Sequence, residues 1–96
     1  MEKNYFVYII TNKNNSVLYI WITNNILRRI FEHKNKLIKW FSERYNLNKL
    51  VYYVTFNNPE EAINTEKKLK WWTRIRKDWL INKINPSWKD LYENLN

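Results

Sequence analysis

Two blocks of aromatic and β-branched residues open the chain, Tyr5 to Ile10 and Val17 to Ile20, with the polar run Thr11 to Ser16 between them. Such blocks predict strands, and the short Asn-rich connection predicts an antiparallel hairpin. Asn tolerates the left-handed backbone angles that a tight turn asks for. A turn centred on Lys13 and Asn14 sets Tyr8 opposite Tyr19, and directly opposed residues share a face of a sheet. The pattern then changes period. Ile26, Leu27, Ile30, Phe31 and Leu37 recur at helical spacing behind a cap at Thr23 or Asn24, which predicts a helix to about Lys36. Lys39 to Lys49 is a mixed connector. Leu50 to Phe56 is apolar or aromatic almost throughout, as in a strand covered on both faces.

"NNPEEA" follows, with Asn58 as cap, Pro59 at the first helical position and Glu60 and Glu61 in the first turn. Each suits the free amides and the positive end of a helix. That helix is expected to reach about Lys70, with Ala62, Ile63 and Leu69 as its core face and Glu66 within or beside the stripe. A further helix, about Thr73 to Ile84, carries Ile75, Trp79, Leu80 and Ile84. Pro86 ends it, and a short terminal helix covers about 87–95. The order is β-β-α-β-α-α, a small α/β domain of one piece over residues 1–96, its core about 4–85.

Composition changes the picture in three ways. The chain has 17 basic and 9 acidic residues, a net charge of +8, which favours a polyanionic partner through phosphate contacts. AT-rich coding, which also raises Lys, Asn and Ile, is the bland explanation of the same number, and an anionic membrane surface or a ribosomal partner would also satisfy it. Without Cys there is no disulfide framework and no thiolate metal site. No apolar run is long enough to cross a membrane and the N-terminus lacks the build of a signal peptide, so a cytoplasmic protein is expected. Finally, there is no Gly at all but there are six Trp. Average Gly usage is roughly 7%, and turns and close backbone approaches usually need it.

Three groups of residues carry candidate chemistry. Glu66 is an acid amid apolar neighbours on a basic chain. It is either an edge carboxylate paired with Lys70 at i+4 or a ligand for Mg²⁺, an ion content with one carboxylate plus phosphate and water oxygens. Arg29 and His33, four apart and bordered by Lys36, either clamp a phosphate or belong to a solvated helix face. Tyr8 and Tyr19 are either core aromatics or reacting phenols. With one His and neither Cys nor Gly, no Ser-His-Asp arrangement, P-loop or zinc spacing can be assembled.

Taken together, "YFVYIITN", "LYIWITNNILRRIFEHKNKLIKWF", "LVYYVTF", "EEAINTEKKLKWWTRIRK" and "INPSWKDL" resemble the GIY-YIG nuclease superfamily, and within it the small stand-alone bacterial branch. The resemblance spans nearly the whole chain, in order. It implies a Mg²⁺- or Mn²⁺-dependent DNA endonuclease on a three-stranded antiparallel sheet flanked by helices. Glu66 matches the acid that holds the single divalent ion. Tyr8 matches the tyrosine that takes the proton of the attacking water, and Tyr19 the one that helps position water or phosphate. Arg29 matches the arginine on the scissile phosphate, His33 a supporting histidine and Asn85 an asparagine near the end of the domain. Arg28, Lys36 and Asn85 are the expected nucleic-acid contacts. A protein partner or a second copy of the chain would supply the target selection that so small a domain lacks. The rival readings are a basic nucleic-acid-binding module without turnover and a protein-interaction adaptor.

The chain departs from the family at its glycines. Phe6-Val7-Tyr8 stands for Gly-Ile-Tyr and Tyr19-Ile20-Trp21 for Tyr-Ile-Gly, and Trp40, Trp71 and Trp79 fall at further positions of this kind. UGA codons, read as Gly in some bacterial lineages and as Trp in others, would produce that pattern; any other codon at 21, 40 and 71 would exclude it. Trp21 would stand where the strand is expected to turn, close to Tyr19 and Arg29.

Overall fold

In a computed structural model, residues 4–37 and 44–95 are described. Three strands form one antiparallel sheet, β1 (Tyr5–Thr11), β2 (Leu18–Thr23) and β3 (Lys49–Phe56), in the order β2-β1-β3. The expected three-stranded sheet is therefore present, with its first strand in the middle. Val7 to Thr11 are all buried, because β1 has a strand on each side and helices on each face. Val7, Ile9, Ile20, Val51 and Tyr52 pack under Ala62, Leu69 and Ile81, which come from helices α2 (Pro59–Trp71) and α3 (Arg74–Ile84). A second cluster joins Tyr8, Ile10 and Leu50 to Leu47 and to Ile26 and Ile30 of helix α1 (Ile26–Lys34), with Leu91, Tyr92 and Leu95 of the C-terminal turn closing it.

The hairpin forms, but its register is two residues away from the expected one. Tyr8 faces Trp21, and Ile10 faces Tyr19. The turn falls one position later because Asn15, at φ 57°, takes the left-handed conformation, while the Asn12 side chain accepts from Ser16 N at 2.8 Å. A shift of two keeps every side chain on its own face. Tyr8 and Tyr19 thus still share a face, as diagonal rather than direct neighbours. The strand also does not turn at Trp21. β2 runs through it to Thr23, and the backbone at 21 stays out of the left-handed region.

Helix α1 starts later than expected. Its cap is Asn25, whose side chain accepts from Arg28 N at 3.1 Å, and Thr23 Oγ1 instead receives the N–H of Asn25. Its buried face is Ile26, Ile30 and His33, so Leu27, Phe31 and Leu37, expected in the core, are exposed. In α2 the Asn58 cap and Pro59 stand as expected, with Glu60 N bonded to Asn58 Oδ1 at 2.8 Å. There the buried residues are Ala62, Glu66 and Leu69, and Ile63 lies outside.

In α3 only part of the expected stripe holds. Leu80 packs half-buried against the core, but Ile75, Trp79 and Ile84 are exposed, and the fully buried residue is Ile81. The helix is turned by the residue that follows it. Between Ile9 and Ile10 the β1–β3 register slips, leaving Val51 as an extra residue in β3. Such a bulge leaves backbone groups without ladder partners. Asn85 Nδ2 donates to the Val51 carbonyl at 3.1 Å and to the Lys89 carbonyl at 2.8 Å, and Asn85 Oδ1 receives Lys89 N. This polar anchor, buried at 3% exposure, outranks apolar periodicity in orienting the helix. The terminal segment is a 3₁₀ turn (Leu91–Asn94) capped by Asp90, shorter than the expected helix. Asp90 also pairs with Lys34, which ties this turn to α1. Trp40 and the rest of 38–43, in the connector before β3, lie outside the described residues.

Candidate active site

Five of the residues singled out on the sequence gather toward the β2 edge of the sheet. Tyr8 comes from β1, Tyr19 from β2, Arg29 and His33 from α1 and Glu66 from α2. Strand alternation places Tyr8, Tyr19 and Trp21 on the face that α1 covers. Helical spacing then brings His33 down onto them and leaves Arg29, one turn back, at the rim.

His33 is not on a solvated face. It is 2% exposed, and its Nε2 lies 2.9 Å from the Tyr8 hydroxyl. Its ring meets Tyr8 edge-on at 5.7 Å and Tyr19 at 5.9 Å. Burial, helped by the Arg29 guanidinium, pushes the imidazole pKa down to about 4, so His33 is neutral at physiological pH. Burial also lifts the Tyr8 phenol well above its ordinary range, against the pull of Arg29. The Tyr19 phenol is raised for the same reason, with Arg29 opposing and the Glu66 carboxylate adding to the rise. Arg29 is thus the one charge felt by Tyr8, Tyr19 and His33 alike. A guanidinium in that place is suited to favour a phenolate or an anionic phosphate.

Arg29 is held loosely. Its Nε is 3.8 Å from Glu32 Oε1, and that buried Nε has no hydrogen-bond partner among the described residues. Buried donors are normally satisfied, so an unmade bond on a cation leaves room for an anionic acceptor. Arg29 also lines an open cleft of about 350 Å³, with Asn24, Thr23 and Tyr5 on one side and Pro59 and Ile63 on the other. Glu66 lies one turn beyond Ile63 on α2.

Glu66 is 8% exposed and pairs with Lys70, Nζ to Oε2 at 2.6 Å. Both readings of Glu66 therefore bear on one structure: it does pair with Lys70, and it is also a buried acid whose charge reaches Tyr19. Lys70 Nζ lies 3.7 Å from the centre of the Trp21 ring, and Trp21 stacks on Tyr19 at 6.0 Å. The Lys70–Trp21 contact escaped sequence reasoning. Lys70 is visible at i+4 from Glu66, but nothing in the spacing says that a β2 side chain covers it. The donor set fits a divalent ion of the magnesium kind. Among the described residues no cluster of three or more His, Asp or Glu gathers. A lone carboxylate completed by water and phosphate oxygens is a pattern that such ions accept.

The other expected contacts separate. Arg28 and Lys36 are exposed at the two ends of α1, where a polyanion could reach them. Asn85 is not beside the tyrosines. Its amide belongs to the Val51 bulge and the C-terminal turn.

A model of the GIY-YIG catalytic domain matches residues 4–85. A UPF0213 protein of Clostridium perfringens is 36% identical over 77 residues, covering 80% of this chain and 82% of that protein. A UPF0213 protein of Bacillus pumilus is 29% identical over 85 residues, or 88% and 86% of the two chains. Among solved structures, the solution NMR structure of a UPF0213 protein from Bacillus halodurans has the same fold, with a TM-score of 0.55 and 28% identity over 84% of this chain and 85% of that one.

Proposed function

The chain belongs to the GIY-YIG family, and from that premise we propose that it is a metal-dependent DNA endonuclease. The observation that carries the proposal is the convergence of Tyr8, Tyr19, Arg29, His33 and Glu66 at one sheet edge, with a buried Tyr8–His33 hydrogen bond at its centre.

Phosphodiester hydrolysis needs a base for the attacking water, a cation on the developing phosphate charge and a route for the proton. Tyr8 is the base. Its phenol is held neutral by burial, so it takes up a proton only when cationic charge nearby favours the phenolate, and Arg29 supplies part of that charge. His33 fixes the phenol oxygen through Nε2, and its low pKa keeps the imidazole neutral, so hydroxyl and ring nitrogen share a hydrogen bond without proton transfer. Tyr19 lines the approach to Glu66 and positions water or phosphate. Arg29 meets the scissile phosphate with its unpartnered edge. Glu66 would hold Mg²⁺ or Mn²⁺, which as a Lewis acid would stabilise charge on the phosphate oxygens. Arg28 and Lys36 contact the flanking backbone and contribute affinity without sequence choice.

A second reading, a nucleic-acid-binding module without turnover, is favoured by Trp21, whose ring fills the space between Tyr19 and Lys70. Nicking of a labelled branched DNA with and without Mg²⁺ separates the two. The nuclease reading expects metal-dependent product that falls at least ~10²-fold in Glu66→Ala, the scale on which single charge-stabilising groups act. Salt-sensitive binding with no cleavage by either protein would leave the binding module standing.

A further inference from the structure

We propose that Lys70 is a resident counter-cation of the Glu66 site, and that a divalent ion must displace it before Glu66 can serve as a ligand. The proposal rests on the reading of Glu66 given above and adds a competitor to it.

The Lys70 side chain is 39% exposed, but three observations set it apart from an ordinary surface pair. Its partner is a carboxylate that is 8% exposed, not a surface acid. The Nζ–Oε2 separation is 2.6 Å, a close charge-assisted contact. The same ammonium lies 3.7 Å from the Trp21 ring centre. That ring is itself stacked on Tyr19, so a β2 side chain covers Lys70 from the sheet side. The Lys70 ammonium holds Oε2 of Glu66 at 2.6 Å, so a Mg²⁺ or Mn²⁺ ion taking both carboxylate oxygens has to displace it. An ion on Oε1 alone would sit against the ammonium's positive charge, so the two cations compete for one carboxylate. Two cations cannot share one carboxylate without mutual repulsion.

The arrangement has a functional consequence. Ion affinity without DNA is weak, because binding the ion also costs the ion pair and the cation–π contact. An incoming phosphate changes the balance. It adds oxygen ligands for the ion and gives Lys70 another anion to pair with. Ion capture is in this way tied to the presence of substrate.

The test uses Mn²⁺ alone as the probe, with free Mn²⁺ followed by its electron paramagnetic resonance signal and no DNA present. Lys70→Gln is expected to bind Mn²⁺ roughly tenfold more tightly than the parent chain, the scale of a partly exposed ion pair plus a cation–π contact. Trp21→Leu, which keeps bulk but removes the π face, is expected to show a smaller gain. Lys67→Gln on the same helix removes the same net charge and is expected to change nothing. The gain from Lys70→Gln is expected to vanish in the double variant with Glu66→Gln. Equal affinity in Lys70→Gln and the parent overturns the proposal. So does an equal gain from Lys67→Gln, or one that survives Glu66→Gln. Failure of the nuclease reading looks different: the Mn²⁺ gain persists but no DNA is cleaved.

Discussion

The Tyr8 hydroxyl and Nε2 of His33, 25 residues apart in sequence, lie 2.9 Å apart in a part of the core closed to solvent. Tyr8 is 0% and His33 2% exposed, so in the absence of substrate the bond is shielded from bulk water. Tyr8→Phe keeps the ring and its packing but leaves the imidazole nitrogen buried without its partner. We predict a loss of about 1–3 kcal/mol of stability, the cost of an unsatisfied buried polar group, read as a lower urea midpoint at unchanged slope. Metal-dependent cleavage is expected to fall with it by ~10²-fold or more, as for removal of a general base.

The same burial makes stability depend on pH. The His33 pKa is about 4 when folded, below its ordinary 6.5, so between those values the unfolded chain binds the extra proton. Stability therefore rises with pH across that window; it is complete above about 6.5 and lost as pH falls toward 4. A shift of this size corresponds to something on the order of 3 kcal/mol. Urea unfolding of the parent and of His33→Asn at pH 7.5, 6 and 4.5 checks it. The gap between the two proteins is expected to narrow as pH drops, and a constant gap would refute the assignment.

Much of this site was legible because the chemistry depends on residue type and coarse spacing. Arg29 and His33 share a helix face by their four-residue separation, and Tyr8 and Tyr19 keep a common sheet face under any even register shift. Glu66 at i+4 from Ala62 and three before Leu69 had to sit near the core. What could not be read were the choices made by polar anchors. Apolar spacing favoured Phe31 over His33 in α1 and Trp79 over Ile81 in α3. The first was decided by the Tyr8 hydroxyl and the second by the Val51 bulge, both of them long-range partners. The hairpin register turned on which Asn became left-handed, and four of the five residues between Asn12 and Ser16 inclusive are Asn or Ser.

Arg29→Lys separates charge from geometry. Lysine keeps the positive charge near Tyr8 and Tyr19 but loses the planar fork that can meet a phosphate from two directions. We predict DNA affinity within a few-fold of the parent and a cleavage rate lower by ~10²-fold. Equal rates would mean that Arg29 acts only as a point charge. Fluorescence anisotropy of a labelled duplex in EDTA gives the affinity, and single-turnover nicking gives the rate.

Asn85→Ala is expected to act on stability and not on DNA. It removes two donors and one acceptor from the bulge and the C-terminal turn, leaving the Val51 carbonyl buried without its side-chain partner. A loss of about 2–4 kcal/mol follows from several unmade buried bonds. Salt-dependent DNA affinity measured on the folded protein at low temperature should be unchanged. A selective loss of affinity at full stability would return Asn85 to the nucleic-acid surface.

Trp21 gives the sharpest opposition between stability and activity. The backbone at 21 is ordinary strand, so a glycine there is not required by any turn. Trp21→Gly would weaken β2 by about 0.5–1 kcal/mol through backbone entropy, and would also remove the stacking on Tyr19 and the ring above Lys70. What glycine offers is space, since the indole is stacked on Tyr19 and faces the Lys70 ammonium that pairs with Glu66. We therefore predict a protein that melts earlier but cleaves branched DNA in Mg²⁺ at least tenfold faster, the gain expected when an obstructed group regains its reacting geometry. Lower stability with no gain in cleavage would show that the ring obstructs nothing, and the family glycine would then need a reason other than access to Glu66.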